Sequence, residues 1–204
     1  MLKQRIAVLV SGGGTNLQAL IDAQNSGTLK SGELCLVISS KPDAYALRRA
    51  QENKIPCVVA NKKTAVSNAA FEHEILKALA QYEIDIIVFA GFMYILSADF
   101  VRRYPDRMIN VHPSLIPSFC GEGFYGLRVH QAALEYGVKL TGATVHFVNE
   151  VTDGGKIIKQ KAVAVLPGDT PETLQKRVME EVEWVILPEA LEEVCAAYAQ
   201  KNGA

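Results

Sequence analysis

The chain has 204 residues and a formal net charge of −1, with 49% hydrophobic and 21% charged residues. That length suits one domain, or one with an appendage, around a substantial core. The near-zero charge gives no electrostatic case for nucleic acid or for a polybasic membrane contact. Cys35, Cys57, Cys120 and Cys195 are scattered, with no C-x-x-C pair. Neither a disulfide framework nor a structural zinc site is expected, and a reduced, cytoplasmic setting is the simplest reading. The first apolar run, in MLKQRIAVLVSGGG, is too short for a signal-peptide core or a membrane span.

Residues 5–10 (RIAVLV) are a short β-branched run bounded by glycines 12–14, which predicts a buried parallel strand. Leu17, Leu20 and Ile21 then fall on one helical face, with Thr15 or Asn16 near the cap. The alternation repeats with strands at 34–39, 56–60 and 84–90 and helices at 44–53 and 69–81. A one- to two-turn helix capped by Ser97 precedes a strand at 107–111. Short connections between alternating strands and helices predict an α/β fold, Rossmann-like, with a mostly parallel sheet and helices on both faces. Past residue 113 the rhythm changes. A Gly/aromatic loop (118–126) leads to a helix near 127–136, and two runs at 141–148 and 157–165 flank a turn-rich NEVTDGGK. These read as a C-terminal antiparallel extension. From 171 to about 198 the pattern is helical, with a break or kink expected near Pro188. No repeat or linker divides the chain, so residues 1–204 are expected to form a single domain: a phosphate-binding half (1–100) and a catalytic, ligand-binding half (101–204).

Three places carry candidate chemistry. In VLVSGGGTN a glycine-rich turn between strand and helix lets backbone N–H groups approach an anion. No Lys-Ser/Thr follows, so it is not a Walker loop, and Leu17 stands where a dinucleotide fingerprint needs its third glycine. A single phosphate on the amides of Gly14, Thr15 and Asn16 and the Thr15 hydroxyl fits better. A tight turn that needs glycine for steric reasons alone is the alternative. In MINVHPSLIP, Asn110 and His112 share a face at the carboxyl end of a strand, where open α/β sheets bind ligands. An Asn amide there can stabilise an oxyanion and a His can donate or shuttle a proton. A polar strand end that merely satisfies backbone groups is equally compatible with position alone. Asp153, before two glycines, is by default a turn residue. Beside an imidazole its carboxylate would raise the ring's basicity, but spacing does not bring it to His112. His73 reads as a surface residue, and His130 and His146 as structural ones. No His/Cys/Asp/Glu grouping has metal spacing, and no G-x-S-x-G elbow supports a serine nucleophile at Ser11.

SGGGTN, AGFMYIL (90–96), INVHPSLIPSF (109–119), TGATVHFV (141–148) and DGGKII (153–158) occur in that order. Together they resemble the phosphoribosylglycinamide formyltransferase family over essentially the whole chain. N-x-H-P-S-L-x-P marks the wider formyltransferase superfamily, whereas the glycine loop and length favour this member. The resemblance implies formyl transfer from 10-formyltetrahydrofolate to the amine of glycinamide ribonucleotide in purine biosynthesis. It implies a catalytic trio of Asn110, His112 and Asp153, and a substrate phosphate on Gly14, Thr15 and Asn16. It also implies a folate pocket lined by Met93, Tyr94, Ile95, Leu96 and Asn110 and by the loop Asn149, Glu150, Val151, Thr152 and Asp153. Glu183 would face the substrate amine. No metal, nucleic acid or membrane partner is implied, and the assembly would be a monomer or homodimer.

Four features depart from the family pattern. Tyr94 stands where many relatives have Arg, and Asn68 where a basic residue near the folate tail is expected. The loop 118–126 is longer than the common version and brings Arg128 where relatives often have His. RVMEEVEW is one residue longer than the usual spacing ahead of Glu183. The alternatives are a formyltetrahydrofolate deformylase, expected to carry an additional N-terminal domain, and a non-catalytic folate- or nucleotide-binding module, which would need no such trio.

Overall fold

A computed structural model describes residues 3–202. In chain order the elements are β1 (Gln4–Val10), α1 (Thr15–Asn25), β2 (Gly32–Ser39), α2 (Tyr45–Glu52), β3 (Cys57–Val59), α3 (Asn68–Gln81), β4 (Ile86–Phe89), α4 (Ala98–Val101) and β5 (Met108–His112). Then follow α5 (Leu127–Tyr136), β6 (Leu140–Phe147), β7 (Ile157–Ala164), α6 (Pro171–Val178), a π-helical turn (Met179–Glu183) and α7 (Trp184–Asn202). No described helix is long and apolar enough to cross a membrane.

The strands form one seven-stranded sheet in the order β3-β2-β1-β4-β5-β6-β7. The pairs from β3 to β5 are parallel, and β5/β6 and β6/β7 are antiparallel. The unbroken apolar run of β1 is explained by burial on both faces. Val8 and Val10 pack with Leu17, Leu20 and Ile186 on one side, whereas Ala7 and Leu9 pack with Phe71, Ile75 and Phe100 on the other. Strand order reverses at β1, whose neighbours are β2 and β4. The crevice outside the carboxyl ends of β1, β4 and β5 is therefore where this class of sheet holds ligands.

The helical irregularity lies upstream of its expected place. Pro188 sits inside α7, and the break in the α-helical pattern is the π turn that precedes that helix. Proline has no N–H to give the carbonyl four residues earlier, and α7 nevertheless runs on through Pro188 to Asn202.

The start of α6 is fixed by Asp169. Its carboxylate accepts from Arg177 Nη1 and Nη2 at 2.6 Å each, and from the Leu166 amide at 2.8 Å and the Thr173 hydroxyl at 3.2 Å. Thr170 and Thr173 complete a reciprocal cap. The Arg177 guanidinium, aided by the Leu166 amide and Thr173 and opposed by burial, holds the Asp169 carboxyl well below the usual range. A carboxyl lowered in the folded state contributes its stability above the unfolded value and loses it as pH falls toward the folded one. Asp169→Ala is therefore expected to cost about 2–3 kcal/mol at pH 7, with a smaller deficit below about pH 3.9. Urea melts at pH 7 and pH 3 check this, and an equal deficit at both would remove the charge from the account.

Candidate active site

The crevice is a cleft of ≈ 620 Å³ whose walls bring together β5, the segment 91–96, the loop 121–126, the loop 149–153 and the π turn. The segment 91–96 is tied to the end of β1. Met93 N–H donates to Ser11 Oγ at 3.0 Å, and Ser11 Oγ lies 2.7 Å from Ser40 Oγ. Ser11 is thus a strut between the end of β1 and this segment. Met93 and Ile95 remain largely open to the cleft, whereas the Tyr94 ring packs edge-on to Phe71 and Phe92.

Asn110 and His112 share a face of β5, opposite His146 and Thr144 of antiparallel β6. His146 Nδ1 lies 2.8 Å from the Phe147 carbonyl and so carries its proton there. Its Nε2, 3.2 Å from Asn110 Nδ2 and 3.6 Å from Asp153 Oδ1, accepts from the Asn110 amide when it carries no proton and donates toward the carboxylate when it does. This orients Asn110 and leaves its second N–H for the cleft. His112 Nε2 lies 2.9 Å from the Phe119 carbonyl, and Nδ1 lies 3.5 Å from Asp153 Oδ2. An imidazole facing acceptors at both nitrogens is satisfied when both carry protons. Among the charged groups of the site only Asp153 balances that cation closely, and both side chains are under 10% exposed, at 6% and 9%.

Asp153 adopts φ 55°, so the turn reading holds. The same turn aims its carboxylate inward, where Oδ2 accepts from the Gly121 amide at 2.8 Å and Oδ1 lies 3.6 Å from His146 Nε2. Burial pushes the Asp153 carboxyl up. His146, the His112 charge and the Gly121 amide together outweigh it and hold the group below its ordinary value. A charged carboxylate is thus maintained against an imidazole in a nearly dry site.

Glu183 is buried and accepts from Asn16 Nδ2 at 2.7 Å. Burial raises its carboxyl above the ordinary value, and the Asn16 bond offsets this only in part. Within RVMEEVEW, residues 179–183 form the π turn. Gln175, Met179 and Glu183, spaced by four, all line the cleft. In an unbroken α-helix such a row drifts around the axis. A turn with more residues drifts it back, so the π turn keeps all three on the cleft side.

Of the three glycines, Gly14 is required by the fold. Its φ is +73°, and a Cβ there would lie 2.6 Å from Ala46 Cβ. Gly12 and Gly13 have no positive φ and nothing within 4 Å of an added Cβ. A steric turn therefore explains one glycine, and the other two leave an open approach to the loop. Helix α1 has no side-chain cap, so its first amides are free for an anion. The Thr15 hydroxyl lies 3.9 Å from Met179 Sδ, which places Gly14 and Thr15 just beyond the wall formed by Asn16 and Met179.

Among the other expectations, His73 is exposed on α3. His130 is fully buried with neither ring nitrogen bonded among the described residues. Burial, then the His112 charge, lowers it to about 4, so it is neutral near pH 7. Asn68 accepts from Lys62 at the start of α3, and Arg128 lies over the Tyr125 ring at 5.0 Å. Neither lines the cleft. Sequence reasoning missed His146, the Phe119 carbonyl and the Gly121 amide. Only His146 had a readable signal, the alternation of TVHFV in a strand able to pair with β5.

The family model described as formyl transferase matches residues 4–191. A phosphoribosylglycinamide formyltransferase of Haemophilus influenzae is 42% identical over 185 residues, covering 91% of this chain and 84% of that protein. The chain belongs to the phosphoribosylglycinamide formyltransferase family. A chloroplastic phosphoribosylglycinamide formyltransferase of Arabidopsis thaliana is 38% identical over 180 residues, or 88% of this chain, which spans 61% of that protein's length. The solved glycinamide ribonucleotide transformylase 1 of Symbiobacterium toebii aligns with a TM-score of 0.89 at 39% identity, covering 96% of this chain and 89% of that one. The mostly parallel sheet with its antiparallel end is the fold of these phosphoribosylglycinamide formyltransferase structures.

Proposed function

We propose that this chain transfers the formyl group of 10-formyltetrahydrofolate to the amine of glycinamide ribonucleotide, giving formylglycinamide ribonucleotide and tetrahydrofolate. The observation that carries the reading is the His112–Asp153 pair beside Asn110, set on a cleft between a glycine loop and the apolar segment 91–96. In this reading the glycine loop and the first amides of α1 take the ribonucleotide phosphate. Met93, Ile95, Leu96 and the loop 149–153 accept a flat folate ring.

The substrate amine attacks the formyl carbon. A C–N bond forms, the carbonyl oxygen takes up charge, and the bond from that carbon to folate N10 then breaks. The free Asn110 N–H and the protonated His112 ring stabilise the oxygen. Asp153 sustains the imidazolium and assists the proton that leaves the amine and reaches N10. Glu183, buried and joined to Asn16, faces the amine and holds it for attack. Holding two reactants at bonding distance supplies much of the acceleration.

Purified protein given 10-formyltetrahydrofolate is expected to release tetrahydrofolate only when glycinamide ribonucleotide is present. Release at the same rate without it would replace the transferase by a deformylase.

A further inference from the structure

Helix α2 grips the glycine loop through its carbonyl groups. The Ala46 amide donates to the Gly12 carbonyl at 3.1 Å, and Arg49 Nε donates to the Gly13 carbonyl at 2.9 Å. Arg49 is itself held in place. Its Nη1 donates to Gln18 Oε1 at 3.0 Å, and its guanidinium lies 5.1 Å from the centre of the Tyr45 ring. The Ala46 side chain closes against the α-carbon of Gly14.

In a planar trans peptide, C=O and N–H point in opposite directions. Carbonyls of Gly12 and Gly13 turned onto α2 therefore direct the N–H groups of Gly13 and Gly14 away from it, toward the open side of the loop. Among the described residues these two amides, like those of Thr15, Asn16 and Leu17, find no acceptor. A left-handed Gly14 next to helical residues gathers such amides into an anion-binding concavity. Arg49 thus stands behind the concavity rather than within it, and its charge adds to the field there.

We propose that Arg49 is a positioning residue for the substrate phosphate. By holding the Gly13 carbonyl it sets the Gly13–Gly14 peptide with its N–H aimed at the anion. The inference rests on the reading that this loop receives the ribonucleotide phosphate. It predicts an effect confined to phosphorylated ligands, because the His112–Asp153 pair and the segment 91–96 have no bond to Arg49.

The test compares wild type, Arg49→Met and Arg49→Lys on glycinamide ribonucleotide and on its dephosphorylated riboside, with ribose 5-phosphate as a binding probe. Methionine keeps the apolar stem beside Gly14 and removes the donors. Arg49→Met is expected to raise KM for the ribonucleotide and weaken ribose 5-phosphate about tenfold. kcat and the KM for the folate are expected to hold within about twofold, and kcat/KM for the riboside to change less than that for the ribonucleotide. Lysine carries a CH2 where arginine has Nε–H, so Arg49→Lys restores the charge without that bond and recovers only part of the loss. Complete recovery by lysine would make the charge alone responsible and overturn the peptide-orienting role. So would equal losses on both substrates, which mark a general structural effect, or an unchanged ribonucleotide KM. If wild type itself treats riboside and ribonucleotide alike, the phosphate reading of the loop falls, and this inference with it.

Discussion

Asp153→Asn is expected to lower kcat about a thousandfold while the fold and ribonucleotide binding survive. Asparagine is among the side chains that best tolerate the left-handed backbone found at φ 55°, so the turn is retained. It also keeps an oxygen for the Gly121 amide, which now reaches Oδ2 at 2.8 Å. What disappears is the negative charge 3.5 Å from His112 Nδ1. In so buried a place an imidazolium without a counter-charge is costly, and the neutral ring that replaces it can donate from only one nitrogen. Steady-state kinetics with a melting curve decides the matter. Activity within tenfold of wild type would return Asp153 to the status of a turn residue.

The pH behaviour follows from the same pair. The Asp153 carboxyl is held below its ordinary value by His146, His112 and the Gly121 amide, which together overcome its burial. Its contribution to stability is therefore complete above about pH 3.9 and fades as pH falls toward the lower folded value.

The alternation of apolar runs and helical faces made the parallel half of the sheet readable, because each buried strand and amphipathic helix carries its own periodicity. The rim position of Asn110 and His112 was readable for the same reason, since the pleat puts alternate residues on one face. Their partners were not. The Phe119 carbonyl and the Gly121 amide are backbone groups, which every residue type supplies, so no letter in SFCGEGFYG marks them as the two ends of the clamp. His146 looked like one position in an alternating strand, and only the antiparallel register that pairs it with Asn110 gives it a place in the site. The π turn is the converse case. A one-residue excess in RVMEEVEW was expected only as a length, and a π turn that keeps Gln175, Met179 and Glu183 on one side needs three dimensions.

The loop 118–126 thus forms part of the site. It holds His112 through one carbonyl and Asp153 through one amide, and the two anchor residues are two positions apart. Phe119, itself at φ 49°, packs its ring near Phe124 and Tyr136, which braces the carbonyl that His112 uses. The histidine and carboxylate are consequently oriented by one short segment and act as a unit.

That unit sets the second large expectation. His112→Gln removes the ring but keeps one amide donor of similar reach, and kcat is expected to fall by about 10²–10³. KM for either substrate should move by less than about threefold, because the donor acts on charge that develops only during reaction. If His112 and Asp153 work through each other, their losses overlap. The double variant His112→Gln/Asp153→Asn should then fall no more than about tenfold below Asp153→Asn alone, far less than the product of the two single losses. Stopped-flow or steady-state rates on the four proteins complete the cycle. Multiplicative losses would mean that Asp153 handles the proton independently of His112, and the 3.5 Å contact between them would be a matter of packing rather than catalysis.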